Sequence, residues 1–215
     1  TVAQFSLFVR ATGHITQAEK DGTSTTWTGK EWKEARGADW AHPGGYLTNV
    51  ETMGEHPVTH LSWHDCRAFC EWVGTLGAGV LVLPSEAEWE KAARGVDGRI
   101  YPWGNESPDA TRLNFNTNRL DSSPVGEYGA KGRSLYGCED MAGNAWEWTR
   151  SLDGRYPYTA TDGREDPQRI GVRVLRGGSF GVVQRLVRSA NRLRQPPTDH
   201  LDGFGFRVVL RPKDL

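Results

Sequence analysis

The chain has 215 residues, enough for one sizeable domain with its own core, and no composition break marks a linker that would divide it. Its 26 Lys and Arg against 27 Asp and Glu leave a formal charge of -1, so no global field draws nucleic acid or an anionic membrane, and neither partner is expected. No apolar run nears the roughly 20 residues of a membrane span and no signal-like segment opens the sequence, so it reads as soluble.

Thr1 and Gln4 have the pattern of a capping box, Val2, Phe5, Phe8 and Val9 follow at helical spacing, and Gly13 offers a stop, which predicts a short amphipathic helix. Ser62 with Asp65 starts a second helix, whose stripe is Ala68, Phe69, Trp72 and Val73 and whose expected end is Gly74. Ser85 with Glu88 starts a third, preceded by Pro84 and stopped at Gly95. Residues 96 to 170 are dense in Gly, Asn, Asp, Pro and Tyr and predict long packed loops, held by some of the 9 Trp. The clearest strand candidates are "RVLRGGS" and "GFRVVLR", expected in one sheet and bracketing residues 176 to 207.

Of the three cysteines, Cys66 and Cys70 lie four apart on a predicted helix, poorly placed for an unstrained disulfide. Free buried thiols are expected, which mildly favours a reducing compartment. His56, His60 and His64 also recur every four residues, but Pro57, the β-branched Val58 and Thr59, and the Ser62 cap break any common helix face. Structural or surface roles are expected for these histidines rather than a metal site.

The segments "HPVTHLSWHDCRAFCEW", "LPSEAEWEKAARG", "YPWGNE", "YGCEDMAGNAWEWT", "VLRGGS" and "GFRVV" resemble, in this order, the signature segments of the formylglycine-generating enzyme, or sulfatase-modifying factor, family. The resemblance runs from about residue 56 to the end and implies an α+β, C-type-lectin-like fold: a small twisted antiparallel sheet, few helices and much irregular structure. It implies one domain over 1–215, without the strand with which the family begins further upstream. Formylglycine-generating enzymes bind copper and oxidise a substrate cysteine through two cysteines after GGS. Those positions fall on Val182 and near Val187 here, and no cysteine follows Cys138. Valine cannot ligate copper or form a mixed disulfide. No copper and no enzymatic activity are therefore expected; the alternative is a family member with altered or lost oxidase activity. Hercynine-oxygenase relatives use an iron-binding His cluster generally supplied by an additional domain, which has no counterpart in this sequence.

The same resemblance implies a structural Ca²⁺ held by Asp140, the carbonyls of Gly143 and Ala145, and Glu147. The alternative is a turn in which Glu147 pairs with an Arg. A second family Ca²⁺ site would begin at Asn114 and Phe115, but its later ligands have no clear match. For the Trp residues in the motifs, Trp63, Trp89, Trp103, Trp146 and Trp148, core packing is expected over a sugar-stacking platform.

Residues 176 to 207, "RGGSFGVVQRLVRSANRLRQPPTDHLDGFGFR", most resemble the variable proteins of diversity-generating retroelements, with Phe180 at the usual Trp position. That resemblance implies a frame, RGGS, RSANR and GFR, in which Arg176, Arg188, Arg192 and Arg207 bond loop carbonyls, around a ligand-binding filling. Such elements turn AAC codons into NNC, which cannot encode Gln, Glu, Lys, Met or Trp. Lys, Glu, Met and Trp make up 31 of the 215 residues, yet none occurs from Phe180 to Phe204. Gln184 and Gln195 would be template-fixed. The expected ligand-binding residues are apolar or small, Phe180, Gly181, Val182, Val183, Leu186, Val187, Leu193, Leu201, Gly203 and Phe204, with a polar rim of Arg185, Arg194, His200 and Asp202. The expected partner is a protein or other macromolecule; the alternative is a packed loop.

Overall fold

The computed structural model describes residues 1–77 and 79–211. Helix α1 (Val2–Thr12) starts at the Thr1–Gln4 box and stops at Gly13, whose φ of 68° places it in the left-handed region open to glycine. Thr16 with Glu19 forms another box, which the sequence reading missed, and caps α2 (Gln17–Asp21). Helices α3 (Trp63–Thr75) and α4 (Glu86–Arg94) start at the expected Ser62 and Ser85 caps. Gly74 does not end α3: the helix runs through it to Thr75 and turns at Leu76.

Immediately after α2, β1 (Thr23–Trp27) and β2 (Trp32–Arg36) form an antiparallel hairpin closed by Trp27 opposite Trp32. Hydropathy hides this hairpin because the buried face of β1 is Ser24 and Thr26. Their hydroxyls stay satisfied by donating to the His200 carbonyl at 3.2 Å and the Lys33 carbonyl at 3.4 Å.

The main sheet has the order β6-β5-β4-β7, built from β4 (Trp146–Leu152), β5 (Arg173–Arg176), β6 (Leu193–Gln195) and β7 (Phe204–Phe206). Strand β4 lies inside the stretch expected to be loops, and it pairs antiparallel with β5 and parallel with β7. Six of its seven residues are buried, so it lacks the alternation that marks a one-sided strand. The two strand candidates do share this sheet, but β4 separates them, and the second divides: β8 (Val209–Arg211) leaves to pair with β3 (Val80–Val82).

The core joins both sides of the sheet. Trp63, Trp148, Leu175 and Phe204 are all at most 1% exposed and share one cluster with Phe5, Phe8 and Leu61. Two of the most deeply buried indoles find acceptors: Trp63 Nε1 donates to the Thr149 carbonyl at 3.0 Å and Trp148 Nε1 to the Leu61 carbonyl at 2.9 Å. Trp89 and Trp146 are buried as well, while Trp103 is half-buried and stacked on Tyr101. Core packing is thus the role of four of the five motif tryptophans. Burial pushes the Cys66 thiol well up and that of Cys70 up to about 12, so both remain free, protonated thiols inside the core. Among the described residues, no helix is long and apolar enough to cross a membrane.

Candidate functional site

Arg176 and Arg192 enclose the α4 carboxylates. Arg176 is fully buried, donates to the carbonyls of Ser189 and Asn191, and pairs with Glu90 and Glu86. Arg192 grips the buried Glu86 with both branches of its guanidinium, the longer contact being 2.8 Å. Arg207 donates to the Glu139 carbonyl at 3.0 Å and to both oxygens of Glu147. The frame arginines therefore bond carboxylates as well as the expected carbonyls, because a buried guanidinium needs charge as well as acceptors around it. Arg188 differs, being exposed and, among the described residues, reaching only the Arg185 carbonyl at 3.0 Å.

The filling is stapled by its main chain. Asn116 and Thr117 donate N–H groups to the carbonyls of Val182 and Phe180, and Phe180 donates to that of Asn144. Asn144, at φ 65°, also exchanges hydrogen bonds with Ser123 through its side-chain amide, so one residue ties three loops. Next to it, Gly143 is obligatory: a Cβ there would meet the Asn114 carbonyl oxygen at 2.2 Å.

The expected ligand-binding residues fall into two groups. Phe180 and Val187 are 0% exposed and Phe204 is 1% exposed, so these three belong to the packing of the fold, as does the buried Gly203. Their burial corrects the expectation of a binding role, and a buried loop shows no helix or strand period to distinguish it from a surface. Val183, Arg185 and Arg194 are exposed, and Val182, Leu186, Leu193 and Leu201 are half-buried and pack against the main core. Gly181 lies under the hairpin, where a Cβ would stand 2.9 Å from the Trp32 ring, and Phe180 lies 6.3 Å from that ring. His200 is half-buried and tied to Asp21 at 2.9 Å. Asp202 is buried, faces inward from the filling, and accepts the Trp27 N–H at 3.4 Å. Desolvation raises its carboxyl to about 8.

His60 sits beside Asp202, which the spacing of the histidines did not reveal. It is fully buried, its Nδ1 meets Ser24 Oγ at 2.8 Å, and desolvation lowers it to about 3. His56 meets Ser122 Oγ at 3.0 Å and His64 is exposed on α3, so the three do not converge.

Of the residues implied for Ca²⁺, Glu147 is engaged by Arg207 and by Trp89 Nε1, which is the paired alternative left open by the sequence. Asp140 uses one oxygen to accept the Gly126 N–H at 2.7 Å; burial, reinforced by Glu147 and Glu139, raises its carboxyl above the ordinary value. Among the described residues, the carbonyls of Gly143 and Ala145 accept no backbone hydrogen bond. Asp140 and these two carbonyls thus keep free oxygen lone pairs, the hard donors that Ca²⁺ takes. The copper positions fit differently: Val182 is half-buried and Val187 packs among Tyr101, Leu113 and Phe115, with no donor atom on either side chain.

The architecture is C-type-lectin-like, and two solved structures share it. PvdO from Pseudomonas aeruginosa superposes with a TM-score of 0.73 over 96% of this chain and 76% of its own, at 24% identity. Treponema denticola variable protein 1 gives 0.64 over 82% and 78%, at 23% identity. Residues 1–212 match the family of sulfatase-modifying factor enzyme 1-like domains, and the chain belongs to it. It is 34% identical to the formylglycine-generating enzyme of Streptomyces coelicolor over 97% of this chain and 75% of that one. The mouse formylglycine-generating enzyme is 31% identical over 96% of this chain, which spans only 63% of its length. The bovine inactive Cα-formylglycine-generating enzyme 2 is 35% identical over 83% of this chain and 58% of its own. The two named enzymes correct the expectation that this is not an enzyme. Valine at two positions removes one thiol chemistry; it does not separate the chain from relatives named for an activity.

Proposed function

We propose that this sulfatase-modifying-factor domain binds a macromolecular ligand, a protein, through the surface formed by Gly181, Val182, Val183, Arg185, Leu186, Leu193 and Arg194, with His200 and Leu201 at its margin, and that a diversity-generating retroelement varies that surface. The reading is carried by one observation: the stretch without Lys, Glu, Met or Trp coincides with a segment whose side chains are mostly exposed or half-buried while its ends are buried. By average composition those four residue types should occur about four times in a stretch of that length. Half-buried apolar side chains together with exposed arginines have the composition of a protein-binding patch. Sequencing of the locus tests this. A near-copy of the region encoding 180–204, differing at adenines and lying beside a reverse transcriptase, is expected; a locus without such a template overturns the retroelement origin.

A second reading is favoured by the 31–34% identity to named formylglycine-generating enzymes: the chain is itself an enzyme, one whose chemistry does not use thiols at 182 and 187. Turnover of a cysteine-containing sulfatase-type peptide supports it, and an intact peptide removes that substrate. A structural Ca²⁺ at Asp140 and the Gly143 and Ala145 carbonyls belongs to either reading, supported by the free oxygen donors there.

A further inference from the structure

At the end of β1 lies a cavity of about 470 Å³, whose lining includes Trp27, Thr28, Asn49, Met53, Asp121 and Asp202. It shares no residue with the surface proposed above. Asp202 is held there by its backbone, its N–H donating to the Thr25 carbonyl at 2.8 Å. Its side chain is only 10% exposed, and one oxygen accepts the long bond from Trp27. Among the described residues, no hydrogen bond reaches the other oxygen. The nearest basic group is His60, whose Nε2 stands 3.8 Å away and has no partner of its own. Because His60 is buried and neutral, it supplies no positive charge. Asp121 uses Oδ1 to accept the Ser122 N–H at 2.6 Å, and its own charge disfavours ionisation of Asp202. Two carboxyl groups therefore line one cavity, and among the described residues neither forms an ion pair with Lys or Arg, so Asp202 gives up its proton there at a cost that an entering cation would offset.

We propose that this cavity binds a small organic ammonium ion, its N–H groups donating to Asp202 and Asp121 and its carbon chain lying along Trp27 and Met53. A metal ion is a poorer complement. Among the described residues, no three His, Cys, Asp or Glu side chains gather to hold one. The threonine hydroxyls nearby are spent on main-chain carbonyls, Thr28 on Glu31 at 3.0 Å and Thr48 on Gly45 at 2.8 Å. An indole face and a thioether instead suit a cation that carries methylenes.

The test uses the full chain and calorimetric titration with 1,4-diaminobutane, with 1,4-butanediol as the uncharged isostere and CaCl₂ as the metal comparator. The diamine is expected to bind one to one at pH 7 and to release a proton, read as a dependence of the heat on buffer ionisation, because the cation displaces the proton of Asp202. Asp202→Asn weakens binding at least tenfold and Asp121→Asn several-fold. Equal heats from diamine and diol, undiminished binding by Asp202→Asn, or displacement of the diamine by equimolar Ca²⁺ each overturn the proposal. If Asp202→Asn does not fold, Asp121→Asn decides by the same criterion, since that residue is half-buried and the amide oxygen of Asn can still accept the Ser122 N–H.

Discussion

Residues 176–180 and 202–205 are buried throughout, whereas between 181 and 201 only Val187 and Ser189 leave solvent. The two regions are continuous in sequence and are held by different forces. The frame is fixed by charge inside the protein: Arg176 and Arg192 share the buried Glu86, and Arg207 holds Glu147. The filling is held where it begins by main-chain bonds, Asn116 and Thr117 donating to the Val182 and Phe180 carbonyls and Phe180 donating to that of Asn144, and these take no account of the side chains. A segment anchored through its backbone tolerates side-chain change, and one anchored through guanidinium and carboxylate does not.

The sharpest way to break this comparison is at Arg176. Replacing it with Met leaves Glu86 and Glu90 short of a partner in the interior, and loss of one member of a buried ion pair costs about 3–5 kcal/mol. Urea denaturation should show that loss; a change below about 1 kcal/mol means that the frame is not held by charge. The next effect is that of Ca²⁺. If Asp140 and the two carbonyls hold the ion, excess chelator removes about 2.7 kcal/mol at an ion concentration one hundred times Kd, and Asp140→Ala abolishes the response. Unchanged thermal stability in chelator sinks the calcium reading.

A smaller effect separates Asp202 from its neighbour. Its carboxyl rises to about 8 on folding, so from pH 4 to 8 the folded chain holds a proton that the unfolded chain has released, and stability falls as pH rises. His60, lowered to about 3, has the opposite sign: the unfolded chain binds the extra proton, and stability rises with pH until the ordinary histidine value of 6.5. Asp121 and the nearby His200 are the other titratable groups facing this pair. The two slopes oppose one another up to pH 6.5, and the Asp202 decline stands alone from there to pH 8. Over that interval the loss is about 1–2 kcal/mol, from the value of one pKa unit. Asp202→Asn should flatten it, as followed by denaturation midpoints across pH; a decline that persists in the variant belongs to another group.

The sequence displayed what is local. Caps at Thr1, Ser62 and Ser85 act within a few residues, and each helix begins where its box lies. The family's motifs extended this to the fold, since six ordered segments leave little freedom for the chain between them. What stayed hidden depends on contacts distant in sequence. The buried face of β1 is polar because His200 and Lys33 carbonyls await its hydroxyls, and β4 is buried on both faces because β5 and β7 flank it. In the candidate site, exposure at Val183 and burial at Val187 have no local cause, because both are valines in an irregular segment. The burial of Asp202 has no local cause either, since it depends on the β1–β2 hairpin, whose Trp27 N–H reaches it from far along the chain.

The smallest effect is the most direct measure of which filling positions are free to vary. Val183→Asn and Val187→Asn make the same chemical change four residues apart, and both substitutions are accessible to NNC codons. At Val183, which is 47% exposed, the new amide reaches water and stability should stay within about 0.5 kcal/mol of the parent. At Val187, among Tyr101, Leu113 and Phe115, the amide has no partner, and its burial costs about 1–3 kcal/mol. Equal costs at the two sites would mean that the whole segment is packed loop. If the difference is found, a retroelement working on 180–204 produces useful variants at the exposed positions and destabilised ones at Val187, so variation recovered from related loci should concentrate on Val183, Arg185 and Arg194 and spare Phe180, Val187 and Phe204.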